Sequence, residues 1–192
     1  MQPAIFLDRD GVIIENLPNY IRNWTDVVLL PQALEALAWL NASSFKIAII
    51  TNQSAVGRGI ISLQAAEEIN RRLVQEIQRA GGRIDAVFMC PHAPADGCQC
   101  RKPRPGLLLQ AAQALSVDLQ RSTMIGDTLA DLQAGQAAGI ERLVLVRTGL
   151  GADQESAVVA ANLPNTRIYD TLPLALTDLL TEYAKTQSII QS

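Results

Sequence analysis

The chain has 192 residues, enough for one domain with a sizeable core, and 48% of them are hydrophobic. Its formal net charge of −3 argues against a nucleic acid or an acidic membrane surface as partner. No basic region precedes the first apolar run and no apolar stretch is long enough to span a bilayer, so we expect neither a signal peptide nor a membrane span. Three cysteines cannot all pair within one chain, which favours a reducing cytoplasm. No self-complementary apolar stripe argues for a dimer, and we expect a monomer.

Short apolar runs alternate with amphipathic segments along the chain. The apolar runs predict strands at residues 4–8, 46–50, 84–89, 122–125, 143–146 and 167–169. The amphipathic segments predict helices at residues 31–41, 62–80, 105–115, 128–138, 154–161 and 171–184, with residues 12–30 mostly irregular and the last eight frayed. This alternation indicates the α/β class: a doubly wound parallel sheet with helices on both faces, in one domain over residues 1–192 without a separate cap domain.

The first predicted strand ends in two carboxylates, Asp8 and Asp10, followed by Gly11. Acidic side chains this close repel each other unless a cation or a shared proton lies between them. The pattern fits a Mg²⁺ site in which Asp8 is nucleophile and metal ligand. Asp10 would protonate the leaving group and then activate water, and its backbone carbonyl is a further candidate ligand. The alternative is a strand followed by a solvated Asp-Gly turn.

Polar residues also follow the second and fourth predicted strands, and ligands of such sheets bind at the carboxyl ends of the strands. Asp127 offers a third carboxylate for Mg²⁺ or, alternatively, an N-cap for the next helix; both roles can hold together. Asp131 lies one helical turn further on and could orient metal-bound water. Thr51 can donate its hydroxyl proton to a phosphoryl oxygen, and Lys102 or Arg101 can neutralise charge on that group.

All three cysteines and the only histidine lie between residues 90 and 100. Cys90, His92, Cys98 and Cys100 form a Cys₃His set, which is typical of a closed, structural Zn²⁺ site. Reduced buried cysteines and a redox pair are the alternatives, although redox pairs favour Cys-x-x-Cys over the Cys-x-Cys present here. A small zinc-bound loop would position Arg101 and Lys102, the two basic residues that directly follow its last ligand.

Four motifs together resemble those of the haloacid dehalogenase superfamily, in the same order and over nearly the whole chain. They are Asp8-Arg9-Asp10-Gly11, Thr51-Asn52-Gln53-Ser54, Arg101-Lys102-Pro103 and Gly126-Asp127-x-x-x-Asp131. The resemblance implies a Rossmann-like sheet with strand one central and an aspartyl-phosphate intermediate on Asp8, with Asp10 as acid/base. It also implies Mg²⁺ bound by Asp8, Asp10 and Asp127, and a phosphoryl group stabilised by Thr51 and Lys102. Dehalogenating members lack the second aspartate, so Asp10 favours a phosphatase.

Within that superfamily, the chain resembles the branch that removes the 7-phosphate from heptose 1,7-bisphosphates. Asn19-Tyr20-Ile21 and the segment from Thr51 to Gly59 carry this likeness, with departures at Asn19, Ala55 and Gly57. The short Cys/His segment also suits the histidinol-phosphate phosphatases, which are the alternative. The predicted partner is a small phosphorylated metabolite, a sugar bisphosphate. Segments 15–25 and 90–101 would form the rim of the substrate site. Arg101, Gln53 and Ser54 would hold the distal phosphate, the one that does not react. The candidate substrate contacts are Arg9, Asn19, Tyr20, Asn52, Gln53, Ser54 and Arg101.

Two other protein classes share parts of this pattern. Signalling receiver domains combine acidic residues, Mg²⁺, Thr and Lys on an α/β sheet, but their phosphorylated aspartate follows a later strand. A zinc-finger module that binds nucleic acid would need a basic, aromatic-rich face, and the net charge here is −3.

Overall fold

The computed structural model describes residues 1–190, with side chains as far as Thr186. Its centre is a six-stranded, all-parallel sheet with the order β3-β2-β1-β4-β5-β6. The strands are β1 (Ala4–Leu7), β2 (Lys46–Asn52), β3 (Ala86–Cys90), β4 (Thr123–Gly126), β5 (Arg142–Val146) and β6 (Thr166–Tyr169). The doubly wound sheet with strand one in its interior is therefore confirmed.

Seven α-helices and two short 3₁₀ segments connect the strands in the described residues. The helices are α1 (Ala33–Trp39), α2 (Ser54–Gly57), α3 (Leu63–Arg79), α4 (Gly106–Leu115), α5 (Leu129–Ala137), α6 (Gly151–Ala161) and α7 (Leu172–Ile190). The 3₁₀ segments are Trp24–Asp26 and Pro94–Asp96. No helix in this described part of the chain combines the length and apolar character needed to cross a bilayer.

Alternating side chains of β1 point to opposite faces of the sheet and so supply two separate cores. Ile5 and Leu7 pack with the apolar faces of α1, α3 and α7. Ala4 and Phe6 pack on the other face, with α4, α5 and α6. Helices thus cover both faces, and the central strand is buried along its whole length.

The structure corrects several of the predicted boundaries. Strand β2 continues through Asn52, so Thr51 lies inside the sheet edge rather than in the following loop. The four-residue helix α2, directly after β2, was missed because it is too short for a periodic pattern. Helix α7 continues to Ile190 and does not end near residue 184; residues 191–192 of the segment expected to be frayed lie outside the described residues.

Candidate active site

A cavity of about 600 Å³ opens at the carboxyl ends of β1, β2 and β4. It collects nearly all of the residues that the motifs singled out, from positions far apart in the chain. Its walls include Asp8, Arg9, Asp10, Tyr20, Asn52, Gln53, Ser54, Arg101, Lys102, Asp127 and Asp131. Its rim includes Asn16, Leu17, Pro18 and Ile21, as expected for segment 15–25, whereas only Arg101 comes from segment 90–101.

Asp8, Asp127 and Asp131 form a cluster of buried carboxylates, here called the carboxylate site. One oxygen from each lies within 4.8 Å of the others. Burial raises the pKa of Asp8 well above its ordinary value, although Lys102 acts in the opposite direction. Burial, reinforced by Asp131, raises the pKa of Asp127 to about 7. Three oxygen donors that are unfavourable as buried anions fit a hard divalent cation such as Mg²⁺.

Lys102 is the buried cation beside this cluster. Its Nζ donates to Asp8 Oδ1 at 2.7 Å and to the Ile50 carbonyl at 2.7 Å, and it pairs with Asp131 Oδ1 at 2.5 Å. Burial alone would lower the pKa of Lys102, but Asp131 and Asp8 outweigh burial and hold that pKa above its ordinary value. Lys102 therefore stays charged and fixes one oxygen of Asp8.

Asp127 is held by the segment between β5 and α6 and does not cap a helix. The N-cap of α5 is Thr128, whose backbone N–H and hydroxyl both donate to Asp131 Oδ2. Asp127 is therefore free to turn inward, where its Oδ2 accepts from the Leu150 backbone N–H at 2.9 Å. The alternative interpretation of Asp127 as an N-cap is wrong for this reason.

Gly11 and Gly149 make room for the Asp127 carboxylate. A Cβ at Gly11 would lie 2.0 Å from Asp127 Oδ2, and one at Gly149 would lie 2.3 Å from the same oxygen. Both glycines also have positive φ angles, +82° and +59°. The Thr148 hydroxyl donates to the Gly11 carbonyl at 2.6 Å and ties the two segments together.

Asp10 lies two residues from Asp8, but its carboxylate faces a different set of partners. Arg9 donates to both of its oxygens through Nη2, each at 3.0 Å, and Gln53 Nε2 donates to Oδ2 at 2.8 Å. The Asp10 side chain is therefore not part of the carboxylate site, which leaves its backbone carbonyl as the atom for the predicted metal contact. Arg9 is 1% exposed and pairs with Asp10, so the geometry does not favour the predicted substrate contact of Arg9.

Thr51 is fully buried behind the cavity wall, beside Gln53. Gln53 Nε2 donates to Thr51 Oγ1 at 2.8 Å, so the hydroxyl keeps its proton for another acceptor. The same Nε2 also donates to Asp10, and the Gln53 backbone N–H donates to the Cys90 carbonyl at 2.7 Å. In this arrangement all donors of Gln53 are engaged within the protein, and its contact with the distal phosphate stays a prediction.

Two other predicted substrate contacts, Asn52 and Asn19, have different surroundings in the folded chain. Asn52 binds the main chain of Lys102, because its Nδ2 donates to the Lys102 carbonyl and its Oδ1 accepts from the Lys102 N–H, both at 3.2 Å. Asn19 is exposed on a turn outside the cavity wall, whereas its neighbour Tyr20 lines the cavity with a φ of +62°. Sequence adjacency did not separate these two because a turn sends neighbouring side chains in different directions.

The cysteine–histidine loop, defined by Cys90, His92, Cys98 and Cys100, brings its four ligand atoms within 4.8 Å of one another. The sulfur–sulfur distances are 3.2 to 3.6 Å, and His92 Nδ1 lies 3.3 Å from Cys100 Sγ. Sulfurs around a tetrahedral zinc ion stand about 3.8 Å apart, so the donor set fits Zn²⁺. Burial raises the pKa of Cys90 to about 12, whereas hydrogen bonds led by the Arg101 backbone N–H outweigh burial and lower the pKa of Cys98 to about 7.

The loop lies directly against the elements that carry the cavity. A Cβ at Gly57 of α2 would lie 2.4 Å from the Ala93 nitrogen, and one at Gly106 of α4 would lie 2.3 Å from the Gln99 carbonyl. Arg101 Nη1 donates to the His92 carbonyl at 3.5 Å. The loop is therefore in contact with the segment that delivers Arg101 and Lys102.

Sequence reasoning missed the residues that hold the functional groups in place. Gly149 and Leu150 surround Asp127, and Asn70 of α3 contacts Arg9. The Thr-Gly pair at 148–149 after a strand was a usable signal for a tight approach to the site. No local pattern could have identified Asn70.

Comparison with protein families and curated proteins places these features among known enzymes. Residues 99–175 match the model of a HAD-hydrolase-like family. A D-glycero-β-D-manno-heptose-1,7-bisphosphate 7-phosphatase of Pseudomonas aeruginosa is 37% identical over 177 residues, which are 92% of this chain and 97% of that protein. The enzyme of the same name from Bordetella bronchiseptica is 36% identical, over 93% of this chain and 98% of its own.

Solved structures give the same result for the fold. The crystal structure of the B. bronchiseptica D,D-heptose 1,7-bisphosphate phosphatase, in complex with magnesium and phosphate, superposes with a TM-score of 0.87 and 36% identity, covering 94% of this chain and 99% of its own. The Burkholderia thailandensis enzyme of that name superposes with a TM-score of 0.69 and 31% identity, covering 93% and 99%. The likeness extends over nearly the whole length of each relative.

Proposed function

Since this chain belongs to the haloacid-dehalogenase-like phosphatases, in the family of the heptose-1,7-bisphosphate 7-phosphatases, we propose that it removes the 7-phosphate of D-glycero-D-manno-heptose 1,7-bisphosphate. The family and the phosphatase activity predicted from the four motifs are confirmed. The identity of 37% over 97% of the P. aeruginosa enzyme carries the choice of substrate.

Asp8 is the proposed nucleophile. Its Oδ1 is fixed by Lys102 at 2.7 Å, so the other oxygen is the one free to attack phosphorus and form an aspartyl phosphate. As the P–O bond to the sugar breaks, the negative charge of Asp8 passes to the departing alkoxide, and Lys102 stays close enough to stabilise the phosphoryl group now on Asp8. Thr51 offers its unused hydroxyl proton to a phosphoryl oxygen.

Asp10 is the proposed proton carrier. It gives a proton to the departing alkoxide and then takes one from the water that hydrolyses the aspartyl phosphate. Its backbone carbonyl, with the side chains of Asp8 and Asp127, would hold Mg²⁺. Asp131 would hold Thr128 and Lys102, its two contacts, in place beside that site. When bound there, Mg²⁺ supplies charge neutralisation for the phosphoryl group.

The cysteine–histidine loop is the proposed site of a structural Zn²⁺. Four protein ligands close the tetrahedron, so the ion would have no open position for chemistry. Its proposed task is to hold the loop against α2 and α4 and thereby position Arg101 and Lys102. Three unpaired thiols in this set also support the proposed reducing, cytoplasmic setting.

Arg101 remains the proposed contact for the unreacted phosphate. It lines the cavity on the side of the loop, is partly exposed and has a charged fork suited to phosphate oxygens. Ser54 and Tyr20, also on the cavity wall, complete the proposed substrate contacts. The proposed partner is therefore a small sugar bisphosphate bound by a monomer.

A direct comparison of two substrates tests the proposal. Phosphate release should require Mg²⁺, and kcat/KM should be higher for heptose 1,7-bisphosphate than for histidinol phosphate. Equal or reversed values would overturn the substrate assignment. A phosphoprotein that decays slowly without catalytic release of phosphate would instead favour a receiver-like role.

A further inference from the structure

Asn70 is a polar residue on the otherwise apolar buried face of α3. Its neighbours on that face are Ala66, Ile69, Leu73 and Ile77. Asn70 is 5% exposed, and its Oδ1 accepts a hydrogen bond from Arg9 Nη1 at 2.7 Å. A buried amide is unfavourable unless its hydrogen bonds are satisfied, so the contact with Arg9 explains why the helix tolerates this residue.

Arg9 connects that helix to Asp10. One edge of its guanidinium, Nε and Nη2, faces the Asp10 carboxylate at 3.0 to 3.2 Å. The remaining nitrogen, Nη1, faces Asn70. Because a guanidinium is planar, partners on both edges fix the plane of the group and with it the plane of the carboxylate that it binds.

The two oxygens of Asp10 are used unequally. Oδ2 accepts from Arg9 Nε, Arg9 Nη2 and Gln53 Nε2, whereas Oδ1 accepts from Arg9 Nη2 alone. A carboxylate has about four lone-pair positions in total, so Oδ1 retains the capacity for a further partner. Arg9 and Gln53 together therefore leave Oδ1 as the oxygen of Asp10 with capacity for proton transfer.

We propose that Asn70 is a positioning residue for proton transfer by Asp10. It holds the guanidinium of Arg9 so that Asp10 Oδ1 faces the cavity, where the leaving-group oxygen would lie. This inference rests on the proposed phosphatase mechanism. Asn70 lies on a helix outside all four motifs, and its role is confined to one step, the protonation of the departing alkoxide.

The choice of leaving group separates a loss of proton transfer from a general loss of structure, because a general loss would lower kcat/KM for all substrates alike. An alkoxide needs a proton to leave, whereas the p-nitrophenolate ion leaves without one. The ratio kcat/KM reports the steps up to release of the leaving group, so the two substrate types separate the proton transfer from binding and folding. The alkyl substrate is the heptose bisphosphate or, if that is not turned over, a hexose 6-phosphate; the aryl substrate is p-nitrophenyl phosphate.

Asn70→Leu keeps the number and branching of the side-chain heavy atoms and removes the acceptor for Arg9. We expect it to lower kcat/KM roughly tenfold for the alkyl phosphate and less than about twofold for p-nitrophenyl phosphate, with Asp10→Asn showing the same pattern more strongly. Asn70→Asp, which keeps an acceptor, should lose less than Asn70→Leu. Gln75→Leu is the matched control, because Gln75 lies on the same helix and lines a surface groove together with Asn70.

A double variant completes the test. If Asn70 acts through Asp10, adding Asn70→Leu to Asp10→Asn should cause no further loss on the alkyl phosphate. Equal losses on both substrates, no loss on the alkyl phosphate, or full additivity in the double variant would each overturn the positioning role. If the wild-type protein hydrolyses the hexose 6-phosphate but not the heptose bisphosphate, the substrate assignment is overturned. The test of Asn70 can then still be made with the hexose phosphate. A wild-type protein without phosphatase activity would overturn both.

Discussion

The carboxylate site and the cysteine–histidine loop both gather ligands for a cation, but the chain builds them in opposite ways. Asp8 and Asp127 come from the ends of neighbouring strands, β1 and β4, and Lys102 reaches Asp8 from a loop. The loop takes all of its ligands from residues 90–100, and most of the residues between those ligands are exposed. The sheet should therefore preserve the carboxylate site without its cation, whereas the loop should depend on its cation for its structure.

The largest expected effect is on chemistry without a change of fold. Asp8→Asn removes the nucleophile. It also removes a buried carboxylate that is unfavourable as an anion, because burial raises the pKa of Asp8. Phosphate release should fall to the background rate, while the melting temperature stays equal to or above that of the wild type. Steady-state kinetics and thermal unfolding of the same preparation check this; retained turnover would remove Asp8 as nucleophile.

The next effect tests whether the close backbone packing around Asp127 determines the affinity for Mg²⁺. In Gly149→Ala the new Cβ would lie 2.3 Å from Asp127 Oδ2 and 2.4 Å from Gly11 Cα, so both the carboxylate and the backbone at Gly11 must move. We expect the Mg²⁺ concentration for half-maximal activity to rise about 10- to 100-fold, as is typical when groups behind a metal ligand are changed.

Gly59→Ala is the matched control for that variant. Gly59 also has a positive φ, +68°, but its Cβ would meet no atom within 4 Å. An equal shift in the two variants would mean that backbone strain, and not displacement of Asp127, is the cause.

A smaller effect on catalysis, but a clear one on stability, is expected in the loop. Cys100→Ser should reduce the zinc content from one ion per chain and lower stability by about 3 kcal/mol, or roughly 10 °C in melting temperature. The kcat should fall only a few-fold, because Lys102 is also held by Asn52. Gln99→Ser, between two ligands, should change neither metal content nor stability. A zinc-free wild-type protein of full stability would contradict the contrast between the two regions.

The last expected effect is the dependence of stability on pH. The pKa of Asp127 is about 7 in the folded chain against an ordinary value of 3.8, so the folded protein binds more protons than the unfolded one between these values. Without Mg²⁺, stability should therefore fall as pH rises from about 4 to about 7. Mg²⁺ favours the ionised form, so the rise in melting temperature that it causes should be larger at pH 8 than at pH 5. Asp127→Asn should flatten that difference.

The sequence was informative wherever function depends on residues at the carboxyl end of a strand. Asp8, Thr51 and Asp127 come together because parallel strands direct these ends to one edge of the sheet, so recognising the strands was enough to place them. The cysteine–histidine loop was equally accessible, since its ligands are close in the sequence. Both predictions needed only local pattern and a general rule of sheet topology.

Other parts of the site depend on how separate segments pack, which no local pattern encodes. Gln53 belongs to a recognised motif, yet its donors are used by Thr51, Asp10 and Cys90, and only the folded structure reveals this. Asn70 reaches Arg9 across 61 positions of sequence. Such contacts decide which motif residues face a ligand and which ones support a neighbour.

One lysine beside three aspartates also favours one valence of the cation. With every group ionised, three carboxylates and one ammonium give the buried cluster a net charge of −2 (three negative charges and one positive). A monovalent ion would leave −1 in a medium of low polarity, and a trivalent ion would leave +1. Only a divalent ion makes the cluster neutral, so Lys102 would help to select the charge of the metal that we propose for its neighbours.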